Sequence, residues 1–440
     1  MKKHAKYLVL AVTLGIMALI FFFSSQPGET SYQLSGAVAD TVQHSKVSTI
    51  TPSWFSTQNF NANIRKWAHV YIYCALGVSM AVTVHLWTRR IALWQQGLLA
   101  AALCTLYAMS DEIHQYFVPA RAMLLTDYLR SDRDLTWDYA LQCGVRHAVI
   151  RLPEDPAFDP TDPAHWRSVT GRFRSAGHTP VVVEPLPNAL HDHIKAGDGQ
   201  ADACIEAVTR MLAAMDQVNI RTLCFNFMAY VGWTRTDNAL PDRGGARVTG
   251  FSLADYRPTP AAITAEKLWR NYTQFVQGVL PYAERYHIRL ALHPDDPPLP
   301  NLGGVARIMS SVSNIQRALD VGHSPWLGVT FCQACFHLMG ADLDRLIPAW
   351  REKIFFVHFR NVTGTAQDFH ETFHDAGDLP MAHLVDLYRR CGIDVPVRVD
   401  HVPTMAGETQ TTGYTALGRL YALGYLRGLL EGTACKEEST

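Results

Sequence analysis

Short apolar strands alternate with amphipathic helical segments eight times over the last roughly 320 residues, which predicts a (β/α)8 TIM barrel. Three long apolar stretches ahead of it predict an all-α transmembrane segment of about three helices. The texture changes at Met123, so the expected domains are 1–121 and 123–440.

The first apolar run, residues 7–23, carries no charge and follows Lys2, Lys3 and Lys6, as in a signal peptide or a first membrane helix. Its small-residue cleavage site is poor. Residues 67–87 and 91–109 are each about long enough to cross a bilayer, with Arg89 and Arg90 between them. A pair of buried soluble helices is the competing reading, because His69, His85, Gln95 and Gln96 interrupt these runs. The third run ends in "YAMSDEIHQYFVPAR", which places Asp111, Glu112, His114, Gln115 and Arg121 where charge next to a membrane is costly and usually functional. With "FFFSSQPGE" and "RKWAHVYIYCALG", this stretch resembles the VanZ-like membrane family over about residues 1–121. That family continues into a further membrane helix, whereas this chain passes into the first barrel strand.

The strands expected after Met123 are "LLTDYL" (124–129), "HAVIRL" (147–152), "TPVVVEPL" (179–186), "IRTLCFNF" (220–227), "IRLALH" (288–293), "WLGVTFC" (326–332), "KIFFVHF" (353–359) and "VPVRVDH" (395–401). Helical patterns such as "DLTWDYALQCGV" and "MAHLVDLYRRCG" lie between them. A doubly wound open sheet is the alternative, but no glycine-rich phosphate loop follows the first strand.

A net charge of -1 over 440 residues gives no bias towards nucleic acid. The 9 cysteines are odd in number and scattered through apolar runs, unlike a secreted disulfide framework, so the barrel fits a reducing compartment.

Chemistry in such a barrel sits at the carboxyl ends of the strands. The ends of the last four strands deliver His293, Cys332, His358 and Asp400: two imidazoles, a thiolate and a carboxylate, the shell of a first-row transition metal. Prolines in "ALHPDDPP" (291–298) stop the fifth strand after His293 and stiffen its exit. Cys335, three residues after Cys332, competes with it as the thiolate ligand. Arg360 and Asn361 follow His358, and a guanidinium there suits a substrate carboxylate or oxyanion. The loop "FHETFHDAGDLPM" adds Glu371, His374 and Asp378, with His374 a further candidate for substrate binding. His401 and Tyr414 make a candidate acid and base pair.

"ALHPDDPPLPNLGGVARIM", "GVTFCQACF", "IFFVHFRNV", "FHETFHDAGDLPM", "GYTALGRLYALGYLRGLLE" and "FNFM...WTRTD" together resemble the mannonate dehydratase family over about residues 123–431. The resemblance implies a hydro-lyase that uses Mn(II) or Fe(II) to convert D-mannonate to 2-dehydro-3-deoxy-D-gluconate and water. It places the metal ligands on His293, Cys332, His358 and Asp400, and the acid and base on His401 and Tyr414. The first two strands depart from the family pattern, reading "LTDYLRS" and "RLPEDPAFDP", and leave the substrate contacts there unassigned.

A sugar acid is therefore the expected partner, with the membrane reached through the amino-terminal segment and a homo-oligomer formed through the barrel. The alternatives are a metal-dependent sugar isomerase or epimerase on the same barrel, a barrel that binds metal and ligand without turnover, and a membrane protein carrying a non-catalytic barrel. "FVPARAMLLTDYL" leaves almost no linker, and the basic residues favour an inside amino terminus, which after three crossings would put the barrel outside. A thiolate metal site fits the cytoplasm better, so the junction is expected to be an accidental fusion, with a tethered enzyme as the alternative.

Overall fold

A computed structural model describes residues 2–24, 60–117, 123–409 and 413–435. The chain divides into two compact units at Met123.

In the first unit three helices, Lys2–Ser24, Phe60–Trp87 and Leu93–Phe117, occupy the three apolar stretches. Met80, Val84 and Ala100 pack together with Met17 and Cys104. Thr13 Oγ1 lies 2.6 Å from Ser79 Oγ and 2.8 Å from Thr83 Oγ1, and the Tyr107 hydroxyl donates to Met17 O at 2.6 Å. Two of the polar interruptions satisfy each other, His85 Nδ1 lying 2.9 Å from Gln96 Oε1. By length and composition Val70–Trp87 qualifies as a membrane crossing, while Lys6–Phe22 is a shorter apolar helix. The side chains of Asp111, Glu112, His114 and Gln115, and residue Arg121, lie outside the described residues.

In the second unit eight parallel strands close into a barrel: β1 (Leu124–Leu129), β2 (His147–Ile150), β3 (Thr179–Val183), β4 (Thr222–Phe225), β5 (Arg289–Leu292), β6 (Leu327–Cys332), β7 (Ile354–Phe359) and β8 (Pro396–Val399). Each strand pairs with its neighbours in sequence, and β8 closes on β1 with Leu125 opposite Val397. Alternation divides each strand between two faces. Val149, Val182, Cys224, Ala291 and Phe356 fill the lumen with Phe355, and Tyr128 packs against them. The opposite faces join the larger core beneath the helices, where Trp137, Trp166, Tyr272 and Phe275 are buried. The closing helix, Ala416–Cys435, is tied to β1 by Arg419, whose Nε donates to Asp127 Oδ1 at 3.2 Å.

The loops after β4 and β7 contribute an antiparallel sheet absent from the sequence expectation. Its strands run in the order Val362–Thr365, Asp368–Glu371, Arg247–Ser252, Asp237–Pro241. The "FHETFHDAGDLPM" segment is therefore partly strand, and Glu371 is held on it.

Three barrel histidines are buried as neutral rings. His191 lies among Phe225, Phe227 and Phe275, with no hydrogen-bond partner on either nitrogen. Burial, with Lys195 nearby, holds its pKa well below the ordinary value; burial also lowers His178, and it pushes His374 down to about 4. At these three sites the unfolded chain binds protons that the folded chain refuses, so their contribution to stability is full above about pH 6.5 and falls as the pH drops towards 4. We predict that His191→Leu removes its share of this loss, about 1.4 kcal/mol per pH unit below about 6.5. Denaturant unfolding at pH 7.5 and 5.5 checks this, and an unchanged pH dependence in the variant would refute it.

Candidate active site and metal centre

The four expected ligands converge at the carboxyl rim of the barrel. His293 follows the last residue of β5, its backbone N–H donating to Phe225 O at 2.7 Å. Its Nδ1 is 2.7 Å from Pro294 O, which places the ring hydrogen there and leaves Nε2 as a lone-pair donor. That Nε2 is 3.2 Å from Nδ1 of His358, the penultimate residue of β7. Cys332 ends β6 in register with His358. Asp400 stands one residue beyond β8, with Oδ2 3.5 Å from His358 Nδ1. The ligand atoms of Cys332, His358 and Asp400 lie within 4.8 Å of one another, and so do those of His293, Cys332 and Cys335.

Behind these groups stands a shell the sequence reading missed. Glu184, just beyond β3, places Oε1 3.1 Å from His358 Nε2 and receives a two-pronged bond from Arg398 at 2.7 and 2.8 Å. Arg398 also donates to Asp400 Oδ1 at 2.8 Å, which fixes that carboxylate. A carboxylate on the far nitrogen puts the His358 hydrogen on Nε2 and turns the Nδ1 lone pair towards His293. One signal for this shell was in the sequence: "VPVRVDH" puts a charge inside an apolar strand, two residues before Asp400 and on the same face.

The charges in this cluster call for a cation. Burial and Arg398 work against protonation of His358, but Glu184 and Asp400 overcome them and push its pKa up to about 10. Burial would raise the Cys332 thiol, yet hydrogen bonding from Cys335 and the charge of Arg360 hold it well below the ordinary value. Around His358 stand the Cys332 sulfur and the carboxylates of Glu184 and Asp400, and the two nitrogens, one sulfur and one oxygen of the four candidate ligands suit a transition ion. We predict that Glu184→Gln lowers Mn(II) affinity by about 10–100-fold through loss of the carboxylate behind His358. Titration followed by the paramagnetic signal of free Mn(II) checks this; an unchanged affinity would mean that Glu184 does not orient the ligand.

His401 and Tyr414 meet beside Asp400. The Tyr414 hydroxyl donates to Asp400 Oδ1 at 3.0 Å and lies 3.3 Å from His401 Nε2. His401 holds φ at 41°, a costly value for a side-chain-bearing residue and one found often at functional sites. Gly413 has φ 75°, and a Cβ there would press on His401 Nδ1 at 3.1 Å, so the returning loop needs glycine beside the imidazole. Burial keeps His401 neutral against the pull of Asp400 and Glu371, whereas burial and the Asp400 charge raise the Tyr414 phenol well above its usual value. The Trp233 ring, 45% exposed, stands edge-on to His401 at 5.2 Å.

Arg360, Asn361 and His374, the residues expected to contact substrate, make their hydrogen bonds within the protein. Arg360 is 0% exposed and its donors are taken: Nε and Nη2 bond Glu371 at 2.8 and 2.7 Å, and Nη1 bonds Asp296 at 2.7 Å. Nη1 is also 3.6 Å from the sulfurs of both Cys332 and Cys335. Asn361 uses both ends of its amide on the loop it begins, donating to His374 O and Leu379 O and accepting from Val362 N and Leu379 N. His374 stacks on Phe359 and bonds its carbonyl at 2.8 Å. Their rim positions were legible, but the partners that claim them come from loops distant in sequence. Asp378 accepts from Gly364 N at 3.0 Å within the same loop region.

An unassigned arginine stands at the end of β2. Arg151, half-buried, donates to the Tyr128 hydroxyl at 3.3 Å and pairs with Glu154. The Tyr128 ring is 6.1 Å from that of Tyr414, which connects Arg151 to the site.

Comparisons with known proteins match two families to this chain. The family model described as D-mannonate dehydratase (UxuA) matches residues 123–258 and 252–439, and that of VanZ/LLP1 matches residues 9–130. The mannonate dehydratase of Enterococcus faecalis is 30% identical, the alignment covering 57% of this chain and 80% of that protein. Mannonate dehydratase 2 of Halalkalibacterium halodurans is 31% identical over 59% of this chain and 84% of its own length. The crystal structure of mannonate dehydratase from Streptococcus suis superimposes with a TM-score of 0.66 at 26% identity, covering 72% of this chain and 95% of that one.

Proposed function

The chain belongs to the D-mannonate dehydratase family, and on that premise we propose that it dehydrates D-mannonate to 2-dehydro-3-deoxy-D-gluconate and water. The observation that carries this reading is the convergence of His293, Cys332, His358 and Asp400 at one rim, with the hydrogen-bonded His401 and Tyr414 beside them. Those four residues would hold Mn(II) or Fe(II). When bound, the ion supplies Lewis-acid stabilisation of negative charge developing on the substrate.

The residues of the chain divide the proton transfers. Neutral His401 takes the C2 proton on Nε2, and the protonated Tyr414 hydroxyl gives its proton to the departing C3 oxygen. The phenol is suited to that role because its proton is held in place against Asp400. Arg360 acts through others: it fixes Asp296 and Glu371 and faces the thiolate of Cys332. Trp233 shields the imidazole from water. The enol released by loss of the hydroxyl then becomes the ketone as C3 takes a solvent proton and the C2 hydroxyl gives its own to solvent, and solvent exchange returns His401 to neutral and Tyr414 to the phenol.

Arg151 is proposed to receive the sugar-acid carboxylate, because it is a cation at a strand end, near Tyr414 through Tyr128. Arg151→Gln is expected to raise KM by roughly tenfold or more, the loss of about one charge-assisted hydrogen bond; an unchanged KM would place the carboxylate elsewhere. Incubation of the full-length chain with Mn(II) and D-mannonate in D2O tests the reaction itself. A 2-keto-3-deoxy acid with one deuterium at C3 is expected, whereas an isomeric sugar acid that has lost no water would establish an isomerase or epimerase.

The amino-terminal segment is proposed to attach the enzyme to a membrane, supported by the VanZ/LLP1 match and the apolar helix Val70–Trp87. The thiolate at Cys332 argues for a barrel on the reducing side. Release of the whole protein by high salt or carbonate would oppose the attachment.

A further inference from the structure

We propose that Cys335 supplies a second thiolate to this centre and so creates a soft-ion binding mode, closed around Zn(II), that competes with the Mn(II) or Fe(II) mode. The inference rests on the reading of Cys332 as a metal ligand.

Two ligand sets overlap on Cys332. One joins it to His358 and Asp400; the other joins it to His293 and Cys335, and in each the ligand atoms lie within 4.8 Å of one another. The second set follows from the local fold. Cys332 ends β6, and Cys335 sits three residues later in the helix Gln333–Leu338, so one turn brings its sulfur back to the first. Both sulfurs are buried, and Arg360 Nη1 is 3.6 Å from each, so one guanidinium faces the pair. His293 presents Nε2 to them because Pro294 O occupies its other nitrogen. His358, with Nδ1 3.2 Å from His293 Nε2, is placed to complete two sulfurs and two nitrogens.

Ion chemistry separates the two sets. The set containing Asp400 keeps one thiolate and suits Mn(II) or Fe(II), whereas two thiolates favour Zn(II), which takes Cys2His2 ligands as a closed tetrahedron. On binding in the second mode the Cys335 S–H bond breaks, an S–Zn bond forms and the proton goes to solvent, with no change of oxidation state. Asp400 then remains with Arg398 and Tyr414. A closed tetrahedron leaves no position for substrate, so zinc in this mode holds the enzyme inactive.

Co(II) added to the full-length chain, kept reduced and anaerobic, reports thiolate ligation through its sulfur-to-metal charge-transfer absorption. We expect that absorption to fall by about half in Cys335→Ser and in Cys335→Ala, one of two sulfurs being lost. Zn(II) should also displace Mn(II) from the unaltered protein at least about tenfold more effectively than from either variant. Cys335→Ala keeps an apolar group in the buried position, so agreement between the two variants separates ligation from folding. Full absorption in both variants with an unchanged preference for zinc would overturn the second thiolate. Failure of the underlying reading looks different: absorption would be absent from the unaltered protein, or would persist undiminished in Cys332→Ser, and either result removes both claims.

Discussion

Replacing Tyr414 with phenylalanine lowers kcat by roughly 10²–10⁴-fold while Mn(II) remains bound. The phenol is not among the four ligands; it touches them only by donating to Asp400 Oδ1 at 3.0 Å, and Arg398 bonds the same oxygen at 2.8 Å. The carboxylate is thus still held when the hydroxyl is gone, and the loss falls on the proton given to the C3 oxygen. His401→Asn is expected to fall within the same range, and the double variant little further, because the two groups move protons within one reaction rather than contributing independently. Metal content measured beside kcat decides the interpretation. Near-normal turnover in both single variants, with metal fully bound, would remove this pair from the mechanism.

Arg360→Met is expected to destabilise the barrel by about 3–5 kcal/mol, because it leaves an uncompensated buried charge. Arg360 and Arg235 face Asp296 and Glu371 in one buried network: Arg235 bonds Asp296 with both terminal nitrogens at 2.9 Å and Glu371 at 2.6 Å. All four side chains are almost wholly buried, with two positive and two negative charges in balance. Burial works against the Asp296 carboxylate, yet the two guanidiniums hold its pKa far below the usual range. Removing one arginine breaks that balance; removing Glu371 as well restores it. The double variant Arg360→Met, Glu371→Leu should therefore lose less than the sum of its single variants, a coupling of about 1–3 kcal/mol. Denaturant midpoints for the four proteins measure it. A cost below about 1 kcal/mol for Arg360→Met would mean that water reaches the network.

The barrel was legible because its strands are short, apolar and regularly spaced. "LLTDYL" and "KIFFVHF" differ from the observed β1 and β7 by one residue at most, and the candidate metal donors stand at or next to the carboxyl ends of β5 to β8. Less legible was what each polar side chain does after leaving its strand. Arg360 has the same parity as His358 and reaches the same side of the sheet, but Asp296 and Glu371 take its donors, and both come from loops that sequence periodicity does not place. The extra sheet that holds Glu371 was hidden for a similar reason, since its two local hairpins join across more than 100 residues, as Phe369 pairs with Phe251. Glu184 was hidden by its ordinary setting after "VVV", where a strand-end carboxylate usually faces water. The apolar runs near the amino terminus predicted helices correctly, yet by apolar length one of the described helices, Val70–Trp87, qualifies as a crossing.

The most direct test of a metal centre built by four successive strands is turnover of D-mannonate by the full-length protein. It should be stripped of metal, then returned to Mn(II) or Fe(II) without oxygen, with Cys332→Ser beside it. The account predicts a 2-keto-3-deoxy acid only from the reconstituted unaltered protein, and neither bound Mn(II) nor product from the variant. Equal turnover before and after reconstitution, or a Cys332→Ser protein as active as the original, would contradict it.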